Sequence, residues 1–175
     1  DKNEEIISFD SGPGNFLIDK LLQLKSNDKI QFDKNGEIAF KGKADKKMLD
    51  IYLSNPYYNL LPPKSLDVKD FDVNLVRDIN LENAVTTLSE LTSLTILEAL
   101  NFFPDKPQNI ILCGGGRKNK YIYEQIKKQS NISTINIDEY KINGDFVESQ
   151  AFAYLAIRSF FKKPISFTKT TGVSK

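Results

Sequence analysis

The chain has 175 residues, enough for one domain with a hydrophobic core. Its 24 basic and 23 acidic residues leave a formal charge of +1, which argues against a broad surface for nucleic acid. The absence of histidine excludes histidine-based acid–base catalysis and histidine-ligated metals, and the single cysteine, Cys113, excludes a disulfide framework.

The first predicted elements are a short strand and a helix joined by a glycine turn. Ile6–Phe9 is predicted as a buried strand, "SGPGN" (11–15) can continue neither strand nor helix, and Phe16–Leu24 has apolar residues at helical spacing. Backbone N–H groups of such a turn can face an anion. Asp10, at the lip of the turn, is therefore a candidate general base or metal-associated carboxylate; its alternative is helix capping.

The middle of the chain is predicted to be mostly helical. A hairpin or an irregular loop surrounds Asn35-Gly36, and a short helix ends before Asn55-Pro56. Pro62-Pro63 forbids a helix and starts a stiff loop that presents Lys64, although a plain surface linker is the favoured interpretation there. Asn80–Phe103 is the strongest helix, with an apolar period close to 3.6.

The second half alternates strands and helices. "NIILC" and "STINI" are predicted strands, with a helix between them over about Lys118–Gln129 and another over about Asp145–Phe161; the last stretch, "TKTTGVSK", is expected to be frayed. This order predicts an α/β domain with a partly parallel sheet. Three strands are few for so much helix, and the first strand lacks a neighbour, which would leave an open edge.

A triple glycine follows the second predicted strand. Gly114, Gly115 and Gly116 would let a flat ligand lie against the backbone, and nucleotide contact is favoured over a flexible turn. The stretch is neither a P-loop nor G-x-G-x-x-G, because Asn119 occupies the last position of the latter. We expect this turn and Asp10 to face one shared crevice. Cys113, at the end of the strand, is expected to be a small core residue.

Glu148 is the remaining acidic candidate. It lies one turn before Phe152, near alanines at positions 151, 153 and 156, whose small side chains let another element pack closely. A solvated acid at a helix start is the favoured interpretation, because it interacts well with the helix dipole.

Six stretches, in this order, resemble the anhydro-N-acetylmuramic acid kinase family. They cover nearly the whole chain: "FDSGPGNFLID" (9–19), "PYYNLLPPKS" (56–65), "TTLSELTSLTI" (86–96), "CGGGRKN" (113–119), "ESQAFAYLA" (148–156) and "TTGV" near the end. Ser11 replaces the family's threonine, Leu66-Asp67 replace a Thr-Gly pair, and Ser149 replaces an alanine. Another kinase of the same superfamily, of the acetate or glycerol type, would be less expected to share the whole ordered set.

The resemblance implies an RNase H-like lobe of the sugar kinase/actin/Hsp70-like class. It implies that ATP, with Mg²⁺, phosphorylates O6 of 1,6-anhydro-N-acetylmuramic acid while water opens the anhydro bridge, in cell-wall recycling. Asp10 matches the catalytic base. The resemblance places further residues around the two substrates: Gly12, Gly14, Asn15 and Glu148 at the sugar, and Gly114, Gly115, Gly116 and Asn119 at the nucleotide.

The resemblance also implies that half of the kinase is missing. The family's Gly-Thr-Ser phosphate loop does not occur here, so residues 1–175 are expected to form a single C-terminal lobe with an incomplete sheet. Alone, this lobe is expected to bind nucleotide weakly and not to turn over. Its expected partner is the missing N-terminal lobe or a second copy. The alternative is a non-catalytic remnant or interaction module of a split gene.

Location is predicted from composition. One cysteine favours a reducing compartment, and we expect a cytoplasmic protein. No apolar run approaches the roughly 20 residues that span a bilayer, so no membrane partner is expected. The chain begins at Asp1 rather than Met, from which we expect that an upstream segment has been removed.

Overall fold

A computed structural model describes residues 6–67 and 70–173. Helices and strands follow one another in these ranges: α1 (Phe16–Ser26), α2 (Lys46–Leu53), α3 (Leu81–Ala99), β1 (Asn109–Leu112), α4 (Lys120–Ser130), β2 (Ser133–Asn136), α5 (Val147–Phe160) and α6 (Thr168–Thr171). Single turns of 3-10 helix connect them, among them Lys34–Gly36, Ala39–Lys41, Pro56–Asn59 and Gly115–Lys118. The four long helices and both later strands lie close to their predicted positions.

The sheet of the described residues consists of β1 and β2. They are parallel, with Asn109 opposite Ser133 and Leu112 opposite Asn136. Helix α4 connects them and so makes a βαβ unit, the usual way to join parallel neighbours. The α/β prediction and the parallel pairing are confirmed, but the sheet is smaller than the three strands predicted.

The predicted first strand is wrong. Residues 6–9 are not part of a sheet; Ser8 N–H donates to Lys169 O at 3.3 Å, and Ile6 is 59% exposed. Phe9 instead packs its ring edge-on against Phe102, with centroids 5.5 Å apart. The apolar character of this segment is therefore explained in part by the packing of Phe9 on another aromatic ring. No strand of the described chain lies beside the segment.

The core is built around α3. Leu17, Ile18, Leu21 and Leu22 of α1 are at most 1% exposed, and Leu88 and Leu91 of α3 are equally buried. Helices α1, α2 and α4 pack against α3. Asn80 starts α3 by accepting a hydrogen bond from Asn83 N–H at 2.9 Å, which satisfies one of the free N–H groups of the first turn.

Between α1 and α2 the chain forms an irregular loop, the second of the two predicted possibilities. The buried carboxylate of Asp33 accepts from the N–H groups of Ile38 and Ala39 at 2.8 and 3.0 Å. Gly36 packs against α4 so closely that a Cβ atom there would lie 2.5 Å from Asn119 Oδ1. This loop therefore forms one wall of the space beside the N-terminus of α4.

The C-terminal region differs from this core. None of the residues of α5 is buried, and α6 is a single turn in the stretch expected to be frayed. Cys113 is exposed, so its predicted place in the core is wrong; β1 buries Ile110 but leaves Ile111 49% exposed. Within residues 6–67 and 70–173 no helix has both the length and the apolar character needed to cross a membrane.

Candidate functional site

The glycine turn is held by two threonines of α3. Thr92 Oγ1 donates to Gly14 O at 2.7 Å, and a Cβ atom added at Gly12 would lie 2.5 Å from Thr95 Oγ1. Gly14 has a φ of +55°, a conformation that favours glycine. The turn therefore needs Gly14 for its backbone conformation and Gly12 for the close approach of the Thr95 side chain, and α3 fixes its position.

Asp10 is tied to the loop that contains Pro62-Pro63. Its Oδ2 accepts from Leu66 N–H at 2.9 Å, its carbonyl oxygen accepts from the Tyr57 hydroxyl at 2.6 Å, and its N–H donates to Lys64 O at 3.1 Å. The contact from Leu66 uses its backbone N–H, so it does not depend on the side chain at this position. Asp10 and Gly12 line a cavity of about 210 Å³ beside Pro13.

Lys64 is enclosed by aromatic rings rather than presented on a plain surface linker. Its Nζ lies 4.5 Å from the ring centroid of Phe102 and 4.7 Å from that of Tyr57, and it donates to Tyr57 O at 3.3 Å. Cations over aromatic faces are attracted to the ring quadrupole. Burial lowers the pKa of Lys64 from its ordinary value. Through these contacts Lys64 stabilises the loop whose backbone orients Asp10. No local sequence signal predicted this role.

A second and larger cavity has a volume of about 450 Å³. Its walls come from the start of α1, from residues 31–35 and from the turn before α4. Asn15, Gly115 and Asn119 all line it. The end of the glycine turn and the triple glycine, a hundred positions apart in sequence, therefore meet at one cavity.

The three consecutive glycines differ in what their backbone requires. Gly114 has a φ of +71° and donates its N–H to Gly144 O at 3.1 Å. Gly115 has no such φ, and a Cβ atom added there would meet nothing within 4 Å. At Gly116 the nearest atom to an added Cβ would be Asn15 Nδ2, at 3.8 Å. Gly115 lines the cavity, and neither its φ nor its packing requires a glycine, as expected where a ligand approaches the main chain.

Asn119 has a structural role at the same place. It is 4% exposed, caps α4 by accepting from Ile122 N–H at 3.3 Å, and lines the cavity. The free N–H groups at the N-terminus of α4 are therefore close to the cavity wall, in the position from which helices bind anions.

Sequence reasoning missed Asp19, which also lines this cavity. No hydrogen bond or ion pair to its carboxylate comes from residues 6–67 or 70–173. Partial burial, and then the neighbouring carboxylate of Asp33, raise the pKa of Asp19 to about 6. The sequence did contain a signal for Asp19: it is an acidic residue between two pairs of apolar residues of α1, 17–18 and 21–22, that are buried in the structure.

Sequence reasoning also missed the ion-pair cluster that holds the triple-glycine turn. The buried Arg117 pairs with Asp138 at 2.9 Å and with Asp145 at 2.7 Å, and donates to Gly114 O at 2.8 Å. Hydrogen bonds from Arg117 and Lys118 lower the pKa of Asp145 to about 2. The cluster joins the turn after β1 to the segment after β2, at the carboxyl ends of both strands.

The remaining predicted residues lie apart from this cavity. Asp10 and Gly12 line the smaller one, so the expected shared crevice is formed by Asn15 rather than by Asp10. Gly114 and Gly116 belong to the turn but not to the cavity wall. Glu148 is exposed in the first turn of α5 and lines neither cavity.

The fold and the position of the cavity indicate an α/β ligand-binding protein. A βαβ unit with a glycine-rich turn at the carboxyl end of its first parallel strand, beside a cavity, is typical of α/β proteins that bind ligands at that edge. The sequence profile of the family described as anhydro-N-acetylmuramic acid kinase matches residues 1–175, and the chain belongs to this family.

Curated relatives agree with this assignment. The chain is similar to proteins named anhydro-N-acetylmuramic acid kinase from Pelagibacter ubique (42% identical), Zymomonas mobilis (38%) and Caulobacter vibrioides (37%). The alignments cover 99%, 99% and 98% of this chain but 48%, 47% and 46% of those relatives. The chain thus spans about half the length of the relatives it matches. Its assignment to the C-terminal lobe stays a prediction.

Proposed function

We propose that this chain is one lobe of a kinase that converts 1,6-anhydro-N-acetylmuramic acid, water and ATP into N-acetylmuramic acid 6-phosphate and ADP. Family membership and the names of the relatives support the reaction. Because the chain spans about half of those relatives, the complete reaction is proposed for this lobe joined to a second one.

The observation that carries the proposal is the shared cavity. Asn15 comes from the Asp10 turn and Gly115 from the triple glycine, and both line the same space of about 450 Å³. That volume is in the range of small-ligand sites. The proposed occupant is the nucleotide, with its base or ribose against the exposed backbone of Gly115 and its phosphates directed toward the glycine turn.

Asp10 is the proposed general base. One carboxylate oxygen accepts from Leu66 N–H, which fixes the group and leaves the other oxygen for a water molecule. Asp10 takes a proton from that water as the water oxygen bonds to C1 and the C1–O6 bond breaks. O6 receives the γ-phosphoryl group of ATP as the bond between the γ-phosphorus and the bridging oxygen breaks, and ADP leaves. Glu148, on α5, is proposed as an acidic residue that binds the sugar.

Magnesium is proposed only as the ion that the ATP phosphates carry. No group of three or more Cys, Asp or Glu that could hold a metal ion occurs in the part of the chain that the structure describes. Phosphoryl transfer relies on positioning and charge stabilisation, so the second lobe has to supply the remaining contacts to the phosphates.

The test joins the chain to the unmatched half of the Pelagibacter ubique relative and measures ATP-dependent phosphorylation of the anhydro sugar. We expect turnover in the reassembled protein, a loss of roughly 100-fold or more in Asp10→Asn, and none from the chain alone. Asp28→Asn, an acid outside both cavities, is the matched control. Turnover that survives Asp10→Asn would remove the proposed base; a stable assembly without any phosphorylation would remove the proposed function.

A further inference from the structure

Asp19 is an acid in the wall of the larger cavity, and the described residues give it no partner. Its side chain is half-buried, and no hydrogen bond or ion pair reaches its carboxylate from residues 6–67 or 70–173. A carboxylate that loses water without gaining a donor destabilises the folded state. The pKa of Asp19, raised to about 6 by burial and then by Asp33, reflects that loss. Above this pH the group is an ionised, unused acceptor at the cavity wall.

The other charged side chains of this wall are engaged or solvated. The carboxylate of Asp33 accepts from two backbone N–H groups at 2.8 and 3.0 Å, and Lys118 pairs with Asp145 at 2.7 Å. Lys34 is exposed to solvent. Of the charged residues that line the cavity in the described chain, Asp19 is thus the half-buried one without a partner, and a ligand that binds beside it has to supply a donor.

The position of Asp19 on α1 selects which part of a nucleotide lies beside it. Asn15 precedes the helix and Asp19 follows four residues later, one turn or about 6 Å along the axis, and both line the cavity. The phosphates are proposed to point toward the glycine turn, at the Asn15 end. An ionised carboxylate repels a phosphate placed beside it, so the neighbouring group of the nucleotide, the ribose, is the part that fits.

The base has a separate surface in the same cavity. Phe32 lines the wall and is 59% exposed, and Gly115 lines it without a side chain. A flat base stacks on an aromatic ring and lies against bare backbone, and neither contact needs a carboxylate. The hydroxyl groups of the ribose are then the donors left for Asp19.

We propose that Asp19 is a specificity-determining residue that accepts hydrogen bonds from the ribose 2′- and 3′-hydroxyl groups of the nucleotide. An ionised carboxylate has acceptors only, and two adjacent hydroxyls present two donors, so both of its oxygens are used. A site that pairs a substrate hydroxyl discriminates against the analogue that lacks it. The inference rests on the nucleotide site proposed above.

The experiment removes the two partners separately and together. Binding of ATP, of 2′,3′-dideoxy-ATP and of ITP, each with Mg²⁺, is measured for the unaltered chain and for Asp19→Ala by amide chemical shifts, which detect weak binding. The matched control is Glu124→Ala, which removes an exposed acid of α4 that lines neither cavity. Thermal melting checks the fold of each variant. Asp19→Asn, which keeps the shape of the side chain and one acceptor oxygen, is the second variant.

We expect the unaltered chain to bind ATP about tenfold or more tightly than the dideoxy analogue, and Asp19→Ala to bring this ratio to about one. The ratio cancels the general effect of a lost negative charge on a triphosphate, because both ligands share it. Asp19→Asn should give an intermediate ratio, and Glu124→Ala should keep the full one. The ratio between ATP and ITP, which differ in the base, should be the same in Asp19→Ala as in the unaltered chain.

Three results would overturn the proposal: a ratio near one in the unaltered chain, a full ratio that persists in Asp19→Ala, or a change in the ratio between ATP and ITP instead, which would assign Asp19 to the base. Absence of nucleotide binding would overturn it together with the nucleotide site. Ribose-dependent binding by an assembly that never phosphorylates the sugar contradicts only the function. Phosphorylation by an assembly that binds both ribose forms equally contradicts only the role of Asp19.

Discussion

Helices α1 and α5 both display rows of apolar side chains, yet the structure uses them in opposite ways. In α1, Leu17, Ile18, Leu21 and Leu22 are buried against α3 and its neighbours. In α5, Phe152 and Phe160 remain mostly exposed. Periodicity thus reports that a helix has an apolar side, but whether that side is covered depends on what else folds beside it.

The two helices also differ in how much they contribute to the stability of the isolated chain. Full burial of a leucine or phenylalanine contributes about 1.5–3 kcal/mol, so the α1 side of the molecule supplies stability that the α5 side does not. The candidate site lies on the stable side, where α1, α4 and the loop between α1 and α2 surround the larger cavity.

The largest expected effect comes from breaking the packed region. Leu88→Ala in α3 removes a side chain that is 1% exposed and should lower the free energy of unfolding by about 2–5 kcal/mol. Urea unfolding followed by circular dichroism measures it. A loss below about 1 kcal/mol would show that α3 is not the centre of the core.

A second prediction concerns the glycine turn. Gly12→Ala places a methyl group where Thr95 Oγ1 is only 2.5 Å away, so it should destabilise the protein by about 1–3 kcal/mol. Gly115→Ala, which meets nothing within 4 Å, is the control and should change the free energy of unfolding little. Equal effects of the two variants would mean that the turn is not packed on α3 as described.

The third prediction concerns Asp19, an acid of the packed region whose carboxylate has no hydrogen-bond or ion-pair partner among the described residues. Its pKa is raised from 3.8 to about 6, so the folded state retains the proton more strongly than the unfolded state does. Stability from this group is present below about pH 4 and is lost as the pH rises through 6. Asp19→Asn should therefore stabilise the protein at pH 8 by about 1 kcal/mol, after allowance for solvent screening, and not at pH 3.5.

Urea unfolding at the two pH values measures this difference, with Asp28→Asn as the control. If Asp19→Asn destabilises the protein at pH 8, the carboxylate has a stabilising partner and the description of the cavity is wrong. If it stabilises the protein and also weakens nucleotide binding, Asp19 is retained for the ligand at a cost in stability.

The smallest expected effect belongs to α5. Phe160→Ala removes a side chain that is 81% exposed and should change the free energy of unfolding of the isolated chain by less than about 0.5 kcal/mol. Measured beside Leu88→Ala, it defines the contrast between the two regions. A loss comparable to that of Leu88→Ala would show that α5 is packed after all.

Local signals predicted the helices well. The stop signal Asn55-Pro56 predicted the end of α2, and the 3.6-residue period predicted α3, because these signals act within a few residues. The predicted strand at Ile6–Phe9 failed because strand formation needs a neighbour that a local pattern cannot supply. The prediction that Cys113 is a core residue failed for a similar reason, because Cys113 follows a strand that has one solvent-exposed face.

The candidate site was predictable only in part. Glycine spacing identified both turns, and a shared crevice was expected between the triple glycine and Asp10; in the structure Asn15 lines the cavity with Gly115 instead. The enclosure of Lys64 and the pairing of Arg117 with Asp138 and Asp145 depend on residues from separate elements, so no short pattern predicted either. Asp10 lies at the predicted turn, but it lines the smaller cavity and not the larger one that contains Gly115.

The proposed nucleotide cavity is tested most directly by titrating the isotopically labelled chain with a non-hydrolysable ATP analogue and Mg²⁺ while amide chemical shifts are recorded. If one nucleotide cavity is shared by the two glycine turns, the amides of Asn15, Gly115 and Asn119 shift together with one dissociation constant. Gly115→Ala, which is expected to leave the fold unchanged, then weakens this binding about tenfold while α5 amides stay unaffected. Shifts confined to α5, or binding that Gly115→Ala leaves unaltered, would contradict the shared cavity.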